Sequence, residues 1–264
     1  MHSEPILARL RQSLAGIDPS LTPALPGCGR EVGLDASVDA ALGGGLTCGA
    51  LHELAPAAPL HLASATGFAM ALAALSSRER GEMLWITTDF AACEAGGPYG
   101  PGLDLLGLAA ARLVVLRVHR AVDALWAMEE ALRCGALASV VAELTGEGAD
   151  ADLTATRRLA LAAREGMSAQ NSGFGLLVRH KATPMPSAAA TRWEIAAAPS
   201  QPDAYGGLGR ARFDLSLRKN RRGPSGRWII EWDHHERIFQ QTVPVAVAAP
   251  AFDRPDRAPR VQAG

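Results

Sequence analysis

The chain has 264 residues, 48% of them hydrophobic and 20% charged, which suits one ordinary domain with a real core and argues against a disordered chain. A formal net charge of −1 gives no global pull toward nucleic acid or membrane, so any such contact needs a local patch. Cys28, Cys48, Cys93 and Cys134 lie far apart with no CxxC pair, which argues against a zinc site and against a disulfide framework.

Near the N-terminus, Ile6, Leu7, Leu10 and Leu14 recur at helical spacing among Glu4, Arg9, Arg11 and Gln12 and predict a short amphipathic helix. Those charges interrupt the apolar stretch that a signal peptide requires. The longest strongly apolar run falls short of the ~20 residues that span a bilayer. A reducing cytoplasm, with no membrane contact, is the expected compartment. Residues 16–29 hold three prolines and three glycines and read as a linker.

Leu34, Val38 and Leu42 then predict a small helix, stopped by Gly43, Gly44 and Gly45 before a strand at 50–54. From there strands and helices alternate. Strands are predicted at 83–87, 113–116, 138–142 and 173–178, and helices at 65–80, 121–134 and 153–167. Trp126, Met128 and Leu132 on the second of these helices read as core. Apolar strands without polar alternation, separated by helices, predict a parallel sheet covered on both faces. The last third places strands at 192–197, 211–217 and 227–232 without intervening helices, joined by turns at 203–209 and 221–226. That predicts an antiparallel extension at one sheet edge. Beyond Phe239 the chain is interrupted by prolines and has no periodic apolar face, as expected of a tail or a partner-binding segment. The expected division is 1–30 for helix and linker, 31–240 for the α/β domain and 241–264 for the tail.

The stretch LHLASATGFAMALAAL, after the strand GALHEL, has the order of a phosphate-binding loop: strand, glycine, helix. A working loop of this kind reads G-x-x-x-x-G-K-[ST], because backbone N–H groups cradle phosphates, lysine reaches them and the hydroxyl holds Mg²⁺. With Gly67 as the second glycine, the first falls on Leu62, the lysine on Phe68 and the hydroxyl on Ala69. Only Gly67 survives, and a ring at Phe68 is expected where polyphosphate would lie. Losing the charge-assisted contact alone costs roughly 1.5–3 kcal/mol. Nucleotide hydrolysis is therefore not expected, and neither a cofactor nor a metal.

Asp89, Glu94, Asp104 and Glu143 are the carboxylates available for acid–base or Mg²⁺ chemistry, but helix caps and relics are the simpler reading. His234 and His235 beside Asp233 alternate across a strand and cannot easily share one ion. Asp150 and Asp152 suit the cap or first turn of the following helix. The densest charge is Arg210, Arg212, Arg218, Lys219, Arg221, Arg222 and Arg227, with Asp214 the lone acid among them. Beside Trp228, this is a candidate surface for a DNA backbone or an acidic partner. The plainer reading is a hairpin whose cations keep an edge strand soluble.

In order, these stretches resemble the core of RecA-type recombinases over roughly residues 31–233. LDASVDAALGGGLTCGALHEL is similar to the helix, glycine cluster and strand that lead into the recombinase phosphate loop. MLWITTDFA, with Asp89, resembles the strand ending near the catalytic glutamate, and Glu143 falls near the second nucleotide motif. LRKNRRGPSGRWIIEW resembles the late hairpin, with Lys219 and Asn220 at its Lys-Asn step. Within that group the chain resembles the ImuA family of bacterial damage-inducible mutagenesis proteins, on DAALGGGLTCGALHEL, SATGFAMALAAL and FDLSLRKNRRGPSGRWIIEWD. The resemblance implies a RecA/SulA-like fold without an intact phosphate loop and a non-enzymatic accessory role in SOS-induced translesion synthesis. The implied companions are an ImuB-like inactive polymerase homologue, an error-prone polymerase complex and RecA.

The departures from recombinases matter too. TGEGADADL after Glu143 is acidic, which repels phosphate, and RHKATPMPSAAATRW, where a second DNA loop is expected, has no glycine. Any DNA contact is expected to be weak. Two other readings stay open: a divergent RecA-type ATPase using Arg78, Arg80 or His61, and a SulA-like inhibitor of cell division.

Overall fold

The computed structural model describes residues 30–77, 81–134, 136–145, 151–166, 173–202, 206–207 and 209–242. The predicted N-terminal helix, its linker up to Gly29, and the tail beyond Thr242 lie outside those residues, as do Arg78, Arg80 and Asp150.

A small unit opens the described chain: β1 (Glu31–Val32), α1 (Ala36–Leu42) and β2 (Leu46–Thr47), the two strands antiparallel. Asp35 caps α1 by accepting the Ser37 N–H at 3.0 Å. The helix stops as expected. Gly43, Gly44 and Gly45 have φ of 75°, 129° and 138°, and a Cβ at Gly44 would lie 2.1 Å from Glu31 Oε2.

Next come β3 (Ala50–Pro56), α2 (Leu62–Ser76), β4 (Glu82–Thr88), α3 (Asp89–Ala95), α4 (Gly100–Leu105), β5 (Leu113–Val118), α5 (Ala121–Arg133), β6 (Leu137–Leu144), α6 (Leu153–Gly166) and β7 (Phe174–Arg179). β8 (Thr191–Ala198), β9 (Arg212–Asn220), β10 (Gly226–Asp233) and β11 (Ile238–Gln241) complete the order. They form one sheet in the order β11-β10-β9-β8-β3-β7-β6-β4-β5. It is parallel from β8 through β5 and antiparallel from β8 through β11. The expected parallel core with an antiparallel edge is the observed architecture.

α2 packs on one face of the sheet together with α1, and α5 and α6 pack on the other. The sequence of α2 carries no charge, and Phe68 through Ala74 are all buried, so over that stretch it is apolar on every side because it is enclosed. With its preceding turn, Pro59–Ser76 is long and apolar enough by composition to cross a membrane, more than the run lengths suggested; here it is the central core helix. On α5, Met128 and Leu132 are buried as expected, but Trp126 is 62% exposed. Met128 and Leu132 are four residues apart and share the buried stripe, whereas Trp126 precedes Met128 by two and turns about 160° away from it.

β3 carries a fully buried histidine. His52 Nδ1 lies 2.8 Å from Thr191 Oγ1 and Nε2 lies 2.9 Å from the Thr47 carbonyl, while Thr191 Oγ1 also accepts the Trp193 indole N–H at 2.8 Å. A neutral ring satisfies every group: Nε2–H donates to the carbonyl and Nδ1 accepts the hydroxyl. Burial, opposed by the Thr47 bond and aided by the Arg222 charge, pushes its pKa down to about 4. Between that value and the free value near 6.5, the unfolded chain binds a proton that the folded chain refuses. Stability is therefore expected to fall by about 3 kcal/mol as pH drops from 6.5 toward 4. Urea unfolding across that window tests this, because His52→Gln must flatten the slope; an unchanged slope in that variant contradicts it.

Candidate functional site

The place where a phosphate loop would lie is the connection from β3 to α2. It consists of residues 57–61, Ala-Ala-Pro-Leu-His, ending in a short 3-10 turn at Pro59–His61. Pro59 sits in the first positions of that turn, pre-sets its backbone and contributes no N–H. The helix therefore begins before the glycine. Gly67 is inside α2, and a Cβ there would meet no heavy atom within 4 Å, so neither backbone approach nor an unusual φ demands glycine. Gly67→Ala is expected to stabilise the protein by about 0.5–1 kcal/mol through helix propensity, read by urea unfolding. A phosphate-cradling glycine would give the opposite sign.

Phe68 does not occupy a phosphate position, contrary to the expectation from sequence. Its side chain is fully buried, with ring centroids 5.5 Å from Phe213, 5.3 Å from Phe239 and 6.5 Å from Trp193. Ala69 is also fully buried. One turn shifts the register: residues aligned as lysine and hydroxyl point into the core, and the polar face of α2 presents Thr66 instead. Thr66 Oγ1 donates to Glu143 Oε1 at 3.3 Å, and His180 Nε2 lies 3.1 Å from the same oxygen.

Glu143, 1% exposed at the C-terminal end of β6, forms the floor of a cleft of about 430 Å³ together with Trp85. Thr66, Gly67 and Met70 form one wall and Gly96 to Tyr99 the other. Its lining is largely apolar, and the one charged lining residue, Glu143, is an anion. No described residue lining it bears a positive charge. A triphosphate entering this space meets carboxylate repulsion and no counter-charge. The indole N–H of Trp85, on a side chain 1% exposed, has no hydrogen-bond partner among the described residues.

Asp89 is not joined to Glu143. It begins α3, where Thr88 caps the helix by accepting the Ala91 N–H at 3.1 Å. Its carboxylate faces β5, with His119 Nδ1 at 3.1 Å and Arg117 Nε at 2.6 Å; these bonds hold its pKa below the usual range. The two acids thus serve different neighbours. Glu94 and Asp104 are exposed. Asp152 caps α6 by accepting the Ala155 N–H at 2.7 Å. His234 and His235 are exposed in the turn after β10, where Asp233 accepts the His235 and Glu236 N–H groups. Among the described residues no group of three or more His, Cys, Asp or Glu side chains could hold a metal ion.

The cations of the β9–β10 hairpin prove to be matched by acids on neighbouring strands. Arg210 pairs with Glu231 and with Asp233 at 2.8 Å, Arg212 with Glu231 at 2.9 Å, Arg218 with Glu194 at 2.6 Å, and Arg227 Nε with Asp214 at 2.8 Å. Arg222 reaches back to the N-terminal unit, bonding Glu31 at 2.6 Å, Thr47 Oγ1 at 2.5 Å and the Gly43 carbonyl at 2.7 Å. Asn220 donates to the Ala41 carbonyl at 2.9 Å. Arg221 contributes a charge near Lys219. The hairpin tip thereby fastens α1 and β2 to the sheet edge.

The most buried ionic cluster gave no signal in the sequence. Glu53 on β3, 2% exposed, accepts hydrogen bonds at Oε1 from Arg179 at 3.1 Å and Ser187 Oγ at 2.6 Å, and its Oε2 is ion-paired with Arg192 Nε at 2.9 Å without hydrogen-bond geometry. Arg192 also donates to the Met185 and Thr183 carbonyls at 3.0 and 2.5 Å, and Lys219 to the Ser187 carbonyl at 2.5 Å. Burial, with Arg221 nearby, pushes the Lys219 pKa down to about 8. The segment where a recombinase-like DNA loop was expected is thus bolted to the sheet by its own basic residues.

No family model matches the chain. Two relatives from strains of Caulobacter vibrioides, each named Protein ImuA, are 34% identical to it over 206 residues, covering 72% of this chain and 77% of theirs. Among solved structures, the crystal structure of the RadB recombinase is similar with a TM-score of 0.53 at 16% identity, covering 79% of this chain and 98% of its own. That likeness shows a RecA-like fold.

Proposed function

The chain belongs to the ImuA family, and from that premise we propose that it is a non-enzymatic accessory protein of damage-induced mutagenic DNA synthesis. One observation carries the non-enzymatic part: the cleft beside α2 offers an anion, Glu143, and apolar walls where a nucleotide motor needs cations and backbone donors. The protein acts by contact. Its partners in this reading are an ImuB-like inactive polymerase homologue, the error-prone polymerase complex and RecA, met in the cytoplasm. DNA plays a minor part, because the hairpin cations are already paired within the fold.

A bacterium lacking the gene tests this reading. Reintroduced wild-type protein is expected to restore ultraviolet-induced mutation, and Gly67→Ala is expected to restore it equally, since nothing at that position serves a phosphate. Loss of mutagenesis with Gly67→Ala, in a protein that remains folded, contradicts the proposal and favours the divergent ATPase. Filamentation on overexpression, without effect on mutation frequency, points to the division-inhibitor reading instead.

A further inference from the structure

Four carboxylates are buried among the described residues: Glu53, Glu129, Glu143 and Asp233. Three of them meet guanidinium groups. Glu53 faces Arg179 and Arg192, Glu129 faces Arg133 and Arg158, and Asp233 faces Arg210. Glu143 has no arginine or lysine partner among the described residues. It has the Thr66 hydroxyl at 3.3 Å and His180 Nε2 at 3.1 Å, both on Oε1, and His180 does not line the cleft. A carboxylate withdrawn from water without a matched cation is costly. This one stays at the floor of a cleft of about 430 Å³, large enough for a small organic molecule.

Trp85 adds a second unmet group at the same floor, an indole N–H without an acceptor among the described residues. In the parallel pairing of β4 with β6, Trp85 lies opposite Val141 and Thr87 opposite Glu143. Trp85 and Glu143 therefore project from one face of the sheet, two residues out of step, with Cβ atoms roughly 8 Å apart. The floor calls for a positive donor at one point and a neutral acceptor at another. Met70, Leu103 and Leu106 supply apolar wall, and Tyr99, 72% exposed, adds an aromatic ring, whose face attracts cations.

We propose that the cleft binds a small organic cation: a primary ammonium on a flat apolar body that also carries a neutral oxygen. The ammonium donates to Glu143 Oε2, and the oxygen accepts the Trp85 N–H. Charge complementarity sets the sign, since Glu143 repels an anion of the same shape. A metal ion is disfavoured because no group of three or more ligating side chains gathers among the described residues. A partner protein's lysine side chain would bring the charge, but its stem has no acceptor for the indole. The inference uses the charge of the cleft and not the accessory role, so its failure would leave that role standing.

Calorimetric titration of the full chain with tyramine tests it, with phloretate, the same phenol on a chain ending in carboxylate, as the probe of reversed charge. Tyramine is expected to saturate with a dissociation constant below about 1 mM, and phloretate is expected not to saturate. Glu143→Gln, which keeps an acceptor for Thr66, should weaken tyramine at least about tenfold. Tyr99→Ala, at an exposed ring whose loss should leave folding intact, should weaken it about threefold. In heteronuclear spectra the indole signal absent from Trp85→Phe should move with tyramine and not with phloretate. No saturation by about 10 mM tyramine, equal binding of phloretate, or unchanged affinity in a folded Glu143→Gln each overturns the proposal. So does tighter binding of Nα-acetyl-lysine N-methylamide than of tyramine, which would make the cleft a seat for a partner's side chain.

Discussion

Phe68→Ala is expected to destabilise the protein by about 3–5 kcal/mol, the usual range for deleting a fully buried phenyl ring. Phe68 joins α2 to the antiparallel edge: its ring touches Trp193 on β8, Phe213 on β9 and Phe239 on β11. Phe213 and Phe239 in turn meet edge to face at 6.0 Å, and Trp232 meets Phe239 at 4.9 Å. Removing the first ring leaves a cavity that three other aromatic side chains cannot close without breaking these contacts. Phe68→Lys, which restores the phosphate-loop letter, is expected to fare worse, because an ammonium would be buried without a counter-charge. It should not create nucleotide binding. Phe68→Leu separates the effects: it should cost less than the alanine change, and it should leave mutagenesis intact in cells. Guanidinium unfolding of the three variants gives the comparison. A Phe68→Ala variant as stable as wild type would show that the ring is not in the core.

The second large effect is expected at Glu53. Glu53→Ala should cost about 3–5 kcal/mol, because it strands two guanidinium groups that its carboxylate now neutralises. The side chains of Glu53 and Arg179 are 3% and 6% exposed, so water cannot readily compensate. The loss should also be local. Ser187 loses its acceptor and Arg192 its anchor, freeing residues 182–188 from the sheet. Limited trypsin digestion should then cut faster at Lys181, which is already exposed. Glu53→Gln retains an acceptor for Ser187 and should fall between the two. Wild-type stability in Glu53→Ala would mean that the guanidinium groups find other partners and that the network holds nothing.

Much of the fold is legible because its sheet is covered on both faces. β4, β6 and β7 read as continuous apolar runs for that reason, and α5 and α6 as amphipathic helices because only one stripe of each is buried. α4 is hidden by glycines and prolines around residues 96–102, although Pro101 falls where a helix tolerates it, in the first turn. β11 is too short and polar to stand out from the residues on either side of it. Gly67 draws the expected start of α2 too far along the chain, because a glycine after a strand reads as the end of a loop, whereas Pro59 nucleates the turn earlier.

The site is less legible, and for a different reason. Cross-strand partners are remote in sequence. Of the acids matching the hairpin cations only Asp214 lies within the basic run; Glu31, Glu194, Glu231 and Asp233 lie outside it. Glu53 meets partners 126 and 134 residues away. Thr66 and His180 give no signal, since a lone threonine on an apolar helix and a histidine at a strand end are commonplace. Only the fold shows that both turn toward Glu143.

Calorimetric titration of the purified full chain with Mg²⁺·ATP tests the central claim most directly. With Glu143 and no cation among the described residues lining the cleft, and no glycine in the connection from β3 to α2, no saturable heat is expected up to millimolar nucleotide. Saturable micromolar binding that Glu143→Gln or Gly67→Ala alters would contradict it, because the nucleotide would then occupy the space beside α2 that this geometry denies it.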